Sequence, residues 1–160
     1  MNEEVLKVIK RIQALFKEEG ITLSVAESCT GGLISNYITS LPGASSFFEA
    51  GVVSYSAAAK EKILGVSPET IAAYGVVSEQ TAREMAENIR KLAGTDFALS
   101  TTGNLGPDVL EGKALGLVYI AVSREGETCS RELHLKGSRE ENKEEASRIA
   151  LEFLLEIAEQ

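Results

Sequence analysis

The segment Ile21–Ile38 changes its apolar period at Gly31-Gly32, and this change constrains the fold more than any other feature of the chain. Ile21-Thr22-Leu23-Ser24-Val25 is short and half apolar, the pattern of a strand. Leu33, Ile34, Tyr37 and Ile38 then recur at helical spacing. A strand therefore passes through two glycines directly into a helix. Such a junction leaves backbone N–H groups unpaired at the helix start and turns a positive dipole end toward whatever lies there. A phosphate or a developing oxyanion suits that place. Ala26-Glu27-Ser28-Cys29-Thr30-Gly31-Gly32 puts two hydroxyls and a thiol at the same spot. A structural reading stands beside the functional one: Ser28 or Thr30 caps the helix, and the glycines make a tight turn.

The remaining elements follow from period and punctuation. Val5, Ile9, Ile12, Leu15 and Phe16 form one apolar stripe, a first helix ending near Gly20. The helix after Gly31 stops at Leu41-Pro42-Gly43. Phe47–Tyr55 reads as a second strand, and Ala57–Leu64 as a short helix carrying Lys60. Ser67-Pro68-Glu69 opens another short helix, which Gly75 ends. Ser78–Ala93 is a longer helix with Ala82, Met85, Ala86, Ile89 and Leu92 on one face. Asp96–Thr102 is a third strand, and Gly103–Gly116 a loop. Leu117–Val122 is a continuous apolar strand, joined by Arg124-Glu125-Gly126-Glu127 to an antiparallel strand over Thr128–Leu135. The last helix spans Arg139–Ala158, with Ile149, Ala150, Phe153, Leu154 and Ile157 inward. Strands alternating with helices, then a late hairpin, predict a mixed sheet covered by helices on both faces in one domain over residues 1–160.

Charge and cysteine content narrow the function. Sixteen Lys and Arg against 24 Asp and Glu give a net charge of −8, which disfavours nucleic acid and anionic membranes as partners. A small anionic ligand needs only a local basic pocket and remains open. No apolar run approaches the length of a membrane span, and the acidic start Met1-Asn2-Glu3-Glu4 is unlike a signal peptide. Cys29 and Cys129 lack metal-ligand spacing and make no disulfide framework, so a cytoplasmic location is expected, and no histidine pair or suitably spaced acidic cluster supports a metal site.

Three loops follow strand ends: the Ser28 junction, Tyr55–Lys60 and Gly103–Gly116. In an open sheet, ligands collect beyond the carboxyl ends of the strands. Parallel strands would therefore make Ser28, Tyr55, Ser56, Lys60, Thr102 and Asn104 neighbours. Their chemistry suits acyl transfer. A serine hydroxyl needs a base, and a lysine serves when burial leaves it neutral. Tyr55 would relay a proton or donate a hydrogen bond. The bland alternative makes Lys60 a solvated helix residue and Tyr55 a rim aromatic. The one histidine, His134, alternates with Leu133 and Leu135 on an exposed face, which argues against a Ser-His-Asp triad. Cys29 is a second-ranked nucleophile, since a helix start lowers a thiol pKa.

Taken together, the motifs resemble the CinA C-terminal domain family, whose stand-alone members include the PncC nicotinamide mononucleotide deamidases. The resemblance rests on Ala26–Gly32, Pro42-Gly43-Ala44-Ser45, Gly51–Ser56 with Lys60, Leu64-Gly65-Val66 and Gly75–Glu79. It continues through Thr102-Gly103, Gly106-Pro107, Gly116–Tyr119 and Gly137-Ser138-Arg139, covering Leu23 to Leu154. It implies a three-layer α/β/α sandwich with a mixed, mostly parallel sheet. It also implies hydrolysis of the carboxamide of nicotinamide mononucleotide (NMN) to nicotinic acid mononucleotide and ammonia, with no metal or organic cofactor required. By position, Ser28 would be the nucleophile, Lys60 its base and Tyr55 an assisting group, with N–H groups near Thr30 and Gly31 holding the oxyanion. The nucleotide would lie against Glu27, Cys29, Thr30, Gly31, Thr102, Gly103 and Asn104, with Arg139 on its anionic part. The partner expected is thus a small-molecule nucleotide, and the chain is expected to form a homo-oligomer.

The chain departs from the family pattern in three places. Ser56-Ala57 stands where Ser-Asn is usual, removing an amide that Asn104 would replace from another loop. Thr102–Pro107 carries Asn104-Leu105 in place of Ile-Ala, and Asp108–Lys113 replaces a more glycine-rich loop. These departures keep a second reading in view: a non-catalytic pyridine-nucleotide or phosphate-binding module of the same fold. A third is an interaction protein tied to the DNA-uptake contexts for which the family was first named.

Overall fold

The computed structural model describes residues 1–160. The elements run α1 (Glu3–Glu19), β1 (Leu23–Glu27), α2 (Leu33–Thr39), β2 (Phe48–Val53), α3 (Ala57–Lys62), α4 (Pro68–Tyr74), α5 (Glu79–Ala93), β3 (Phe97–Gly103), β4 (Leu117–Arg124), β5 (Glu127–His134) and α6 (Arg139–Ala158). A 3-10 turn at Ala44–Ser46 precedes β2. The strands form one sheet in the order β2-β1-β3-β4-β5. β1 is parallel to both β2 and β3, whereas β4 is antiparallel to β3 and β5. Only β4 therefore runs against the others, and the sheet is mixed and mostly parallel, as the sequence implies. Helices cover both faces, and no helix is long and apolar enough to cross a membrane.

The two faces of the sheet carry side chains of different size, and this decides which helices pack where. Leu23 and Val25 of β1, Phe97 and Leu99 of β3, and Val118, Ile120 and Val122 of β4 point into the larger core with α1, α2 and α6. Phe16 of α1 packs between Phe47 and Phe97, with ring centroids 5.7 and 5.6 Å away. The alternate residues are small: Ser24, Ala26, Ala98, Ser100 and Ala121 are all buried. They let α5 lie close through Ala82, Met85, Ala86 and Ile89. The Ser100 hydroxyl even donates to the Ala82 carbonyl of α5 at 2.6 Å. Leu92 does not join that face; it is 66% exposed at the last turn of α5, one turn beyond the edge of the sheet contact.

Local chemistry sets the element ends. Ser56, Ser67 and Ser78 each accept a hydrogen bond from the backbone N–H three residues on, capping α3, α4 and α5. Ser138 and Glu141 form a reciprocal capping box at α6. α2 is the exception. Its N-cap is Gly32 in a left-handed conformation, which offers no side chain, and neither Ser28 nor Thr30 supplies the cap. β2 also ends two residues before the expected Tyr55. Ser54 N–H still bonds Glu27 O at 2.9 Å, but the chain then leaves the sheet toward α3.

Because β1, β2 and β3 are parallel, their carboxyl ends share one rim. The register pairs Glu27 with Val53 on one side and Thr101 on the other. The Ser28 junction, the Ser54–Lys60 turn and the loop after Gly103 all leave from that line.

Candidate active site

Lys60 is the residue most displaced from its bland sequence reading. It sits in the last turn of the short α3, yet it is fully buried. Its Nζ lies 2.8 Å from Ser28 Oγ, 3.0 Å from Ser54 O and 3.1 Å from Tyr55 O. The two carbonyls can only accept, so they take two of the N–H groups. The remaining tetrahedral direction points at the Ser28 hydroxyl. When Lys60 is protonated, its third N–H donates to Oγ; when it is neutral, its lone pair accepts from the Ser28 O–H. No carboxylate forms a salt bridge with Lys60. Burial pushes its pKa down from 10.5 to about 8. The neutral amine, the only form that can act as a base, is thus reached near pH 8 and not near 10.5.

Ser28 is held on a turn just past β1, its N–H donating to Thr101 O at 3.0 Å. Gly31 N–H donates to Ser28 O at 3.0 Å, so it closes that turn and, contrary to the expectation from sequence, is not a free oxyanion donor. The N–H groups of Cys29 and Thr30 take no acceptor in the protein. The Cys29 side chain is buried, and burial pushes its thiol up to about 12. The expected lowering by a helix start does not prevail, because α2 is short and begins at Leu33. Cys29 is therefore a neutral wall of the site.

Glu27 supplies the missing cap of α2. Its carboxylate accepts from Ile34 N at 3.0 Å, Ser35 N at 2.9 Å, Ser35 Oγ at 2.8 Å and Thr30 Oγ1 at 2.6 Å. Thr30 Oγ1 in turn bonds Thr101 Oγ1 at 2.8 Å. The side chains of Glu27 and Thr30, expected against the nucleotide, thus lie beneath the turn and fix its shape. This role is not evident from the residues next to Glu27 in sequence. The signal is a carboxylate at a strand end whose following helix has only glycine at its N-cap.

A cavity of about 70 Å³ opens beside Ser28 and Lys60, bordered also by Tyr55 and Arg139. Val76, Leu105 and Leu110 give it apolar walls, with Cys29, Thr102 and Gly103 completing it. Tyr55 contributes differently at its two ends. Its carbonyl touches Lys60, while its phenol oxygen accepts from Arg139 Nη2 at 2.8 Å. Arg139 Nη1 donates to Gly106 O at 2.6 Å. Thr102 Oγ1 donates to Val76 O at 2.7 Å and anchors that wall. Asn104 does not face the cavity. Its amide binds within its own loop, accepting from Gly106 N at 3.3 Å and approaching Ala114 O at 3.4 Å. It cannot replace the amide missing at Ala57, which itself lies exposed on the first turn of α3. His134 is exposed at the end of β5, 2.7 Å from Glu132.

The profile of the CinA C-terminal domain matches residues 5–158 of this chain. The chain belongs to that family. Among CinA-domain relatives, a competence-damage inducible protein of Bacillus velezensis is 42% identical over 153 residues, covering 96% of this chain and 37% of its own length. A relative of the same name from Acetivibrio thermocellus is 52% identical over 123 residues, covering 76% of this chain and 30% of its own. This CinA domain thus spans about a third of the length of the curated relatives it matches. Solved structures agree over nearly the whole chain. A competence or damage-inducible protein from Enterobacter asburiae superposes with a TM-score of 0.95 at 35% identity, covering 98% of this chain and 99% of that one. CihA from Agrobacterium tumefaciens gives 0.95 at 34% identity, covering 100% and 98%.

Proposed function

We propose that this CinA domain is an amidohydrolase that converts NMN to nicotinic acid mononucleotide and ammonia. The observation that carries the reading is the Ser28 hydroxyl 2.8 Å from a fully buried lysine that no carboxylate neutralises. Few structural roles require a buried amine placed on a serine; an acyl-transfer nucleophile does.

The chemistry follows from the contacts. Neutral Lys60 takes the Ser28 proton as Oγ attacks the carboxamide carbon. The N–H groups of Cys29 and Thr30, unpaired within the protein, are the donors we assign to the oxyanion. The Lys60 ammonium returns its proton to the departing nitrogen, and ammonia leaves an ester on Ser28. A water then gives its proton to Lys60, attacks the ester carbonyl and releases the carboxylate, and Ser28 recovers its proton. The Ser54 and Tyr55 carbonyls keep the amine aimed throughout. Arg139 stands at the mouth, between the dyad cavity and a wider recess of about 500 Å³ that Lys143, Glu140 and Glu144 also line. We assign the ribosyl phosphate to that side, with Arg139 as its charge partner.

Ammonia release from NMN by the purified protein tests the reading, with nicotinamide, nicotinamide riboside and glutamine as comparison amides. Release from NMN that disappears in Ser28→Ala supports it. A folded protein that releases no ammonia from any of them overturns it. The binding-module reading would then be tested by thermal stabilisation with NMN, since a ligand binding only the native state must stabilise it.

A further inference from the structure

The loop Asp108–Lys113, where the chain departs from the family pattern, is tied down at a distance. The Glu111 carboxylate accepts from Val76 N at 2.9 Å and Val77 N at 3.1 Å. Lys113 Nζ donates to Tyr74 O and Val77 O, both at 2.6 Å, and to Glu111 Oε1 at 3.2 Å. These contacts grip the turn between α4 and α5. Gly75 makes room for them: a Cβ there would stand 2.4 Å from Glu111 Oε1, and its φ is +83°. The carboxyl is set for this task. Burial works against its charge, but the two N–H donors and Lys113 outweigh it and hold the pKa below the ordinary value.

The latch places Leu110 in the wall of the dyad cavity, next to Val76, whose N–H the latch itself engages. Leu110 differs from the other apolar walls. Leu105 is 3% exposed and its carbonyl is tied to Asn142 Nδ2 at 3.1 Å. Leu110 is 46% exposed and rides on a loop with no regular structure. Its position is therefore decided by the latch beside it. At about 70 Å³ the cavity beside Ser28 is narrow. A primary carboxamide has only hydrogens on its nitrogen. A substituent on its nitrogen adds bulk beside Ser28, and Leu110 is the apolar wall there whose place depends on the latch.

We propose that Leu110, latched by Glu111 and Lys113, is a specificity-determining residue that restricts the dyad to primary carboxamides and excludes N-substituted ones. The proposal rests on the amidohydrolase reading and assigns that site its substrate class. Glu111 and Lys113 act through Leu110 as positioning residues.

The test compares hydrolysis of NMN with that of its N-methyl carboxamide derivative in the wild type, Leu110→Ala and Glu111→Ala. Leu115→Ala, half-exposed but outside the dyad cavity, serves as control. Both test variants are expected to raise the secondary-to-primary ratio of kcat/KM by about tenfold or more, as removing a hydrophobic contact from a pocket does. Leu115→Ala is expected to leave it unchanged. Hydrogen exchange at the Val76 and Val77 amides should accelerate in Glu111→Ala and not in Leu110→Ala. An independent arm reads sulfonylation of Ser28 by intact mass, using methanesulfonyl fluoride and the bulkier phenylmethanesulfonyl fluoride. The same two variants should favour the bulkier reagent by about tenfold. A shifted labelling ratio without NMN turnover overturns the deamidase reading and leaves the wall standing. Unchanged ratios in Leu110→Ala overturn the wall, whatever the turnover of NMN.

Discussion

Replacing Lys60 by Met is expected to lower ammonia release from NMN by about 10³-fold or more, and to flatten a pH-dependent gain in stability that the wild type shows. Both effects come from one fact, a lysine amine held without a counter-ion in the protein interior. Unfolded, Lys60 titrates near 10.5; folded, burial moves it to about 8. Below pH 8 both states carry the ammonium, and the folded state bears the full cost of burying it. Between about 8 and 10.5 the unfolded chain binds the extra proton, so wild-type stability rises with pH across that window. The shift corresponds to roughly 3 kcal/mol at about 1.4 kcal/mol per pKa unit. Met keeps the length of the side chain and has no proton to lose. The carbonyls of Ser54 and Tyr55 lose a donor in the variant, and that penalty is independent of pH. Urea unfolding of both proteins at several pH values reads the difference. A stability gap that moves toward the wild type by about 3 kcal/mol from pH 7 to 10.5 is expected. A constant gap would mean that Lys60 keeps an ordinary pKa in the fold.

Glu27→Ala is expected to cost about 3–5 kcal/mol of stability and to lower the melting temperature by roughly 10 °C. Its fully buried carboxylate is the N-terminal cap of α2, receiving two backbone N–H groups and two hydroxyls. Alanine leaves the buried Ile34 N–H and the partly buried Ser35 N–H and hydroxyl without this acceptor, while the Thr30 hydroxyl keeps only Thr101. Glu27→Gln should fall between, because its amide oxygen still accepts while its NH₂ group meets another donor at Ser35. Activity in the surviving folded fraction should fall as well, since Thr30 and the Ser28 turn are braced against this carboxylate. Thermal unfolding of the three proteins measures the order. A Glu27→Ala protein as stable as the wild type would contradict the capping account.

Much of this architecture was legible in the sequence because it is carried by local period and punctuation. The switch at Gly31-Gly32, the Ser67-Pro68 helix start and the hairpin at Glu125-Gly126 each specify an element without reference to the rest of the chain. The alternation of elements implies a mixed sheet, and the parallel pairing of β1 with β2 and β3 meets the condition on which Ser28, Tyr55, Lys60 and Thr102 share one rim. Lys60 was different. Ala57–Lys62 reads as an exposed helical turn, and only tertiary placement turns its lysine inward against Ser28. Glu27 lies just before the hydroxyls, where its position suggests a ligand contact; its backbone partners are seven and eight residues on, across the turn. Asn104 and Leu92 went astray for a related reason. Residue type and spacing show what a side chain can do, whereas loop closure and the end of a contact decide what it does. The Glu111 latch joins residues 34 and 35 apart through backbone N–H groups, which leave no mark in side-chain patterns.

The most direct test of the Ser28–Lys60 account is the pH profile of kcat/KM for ammonia release from NMN. The account predicts a single ascending limb with its midpoint near pH 8, where buried Lys60 loses its proton and becomes a base. A profile that is flat or falls through that window, or no release at any pH from a folded protein, would contradict it.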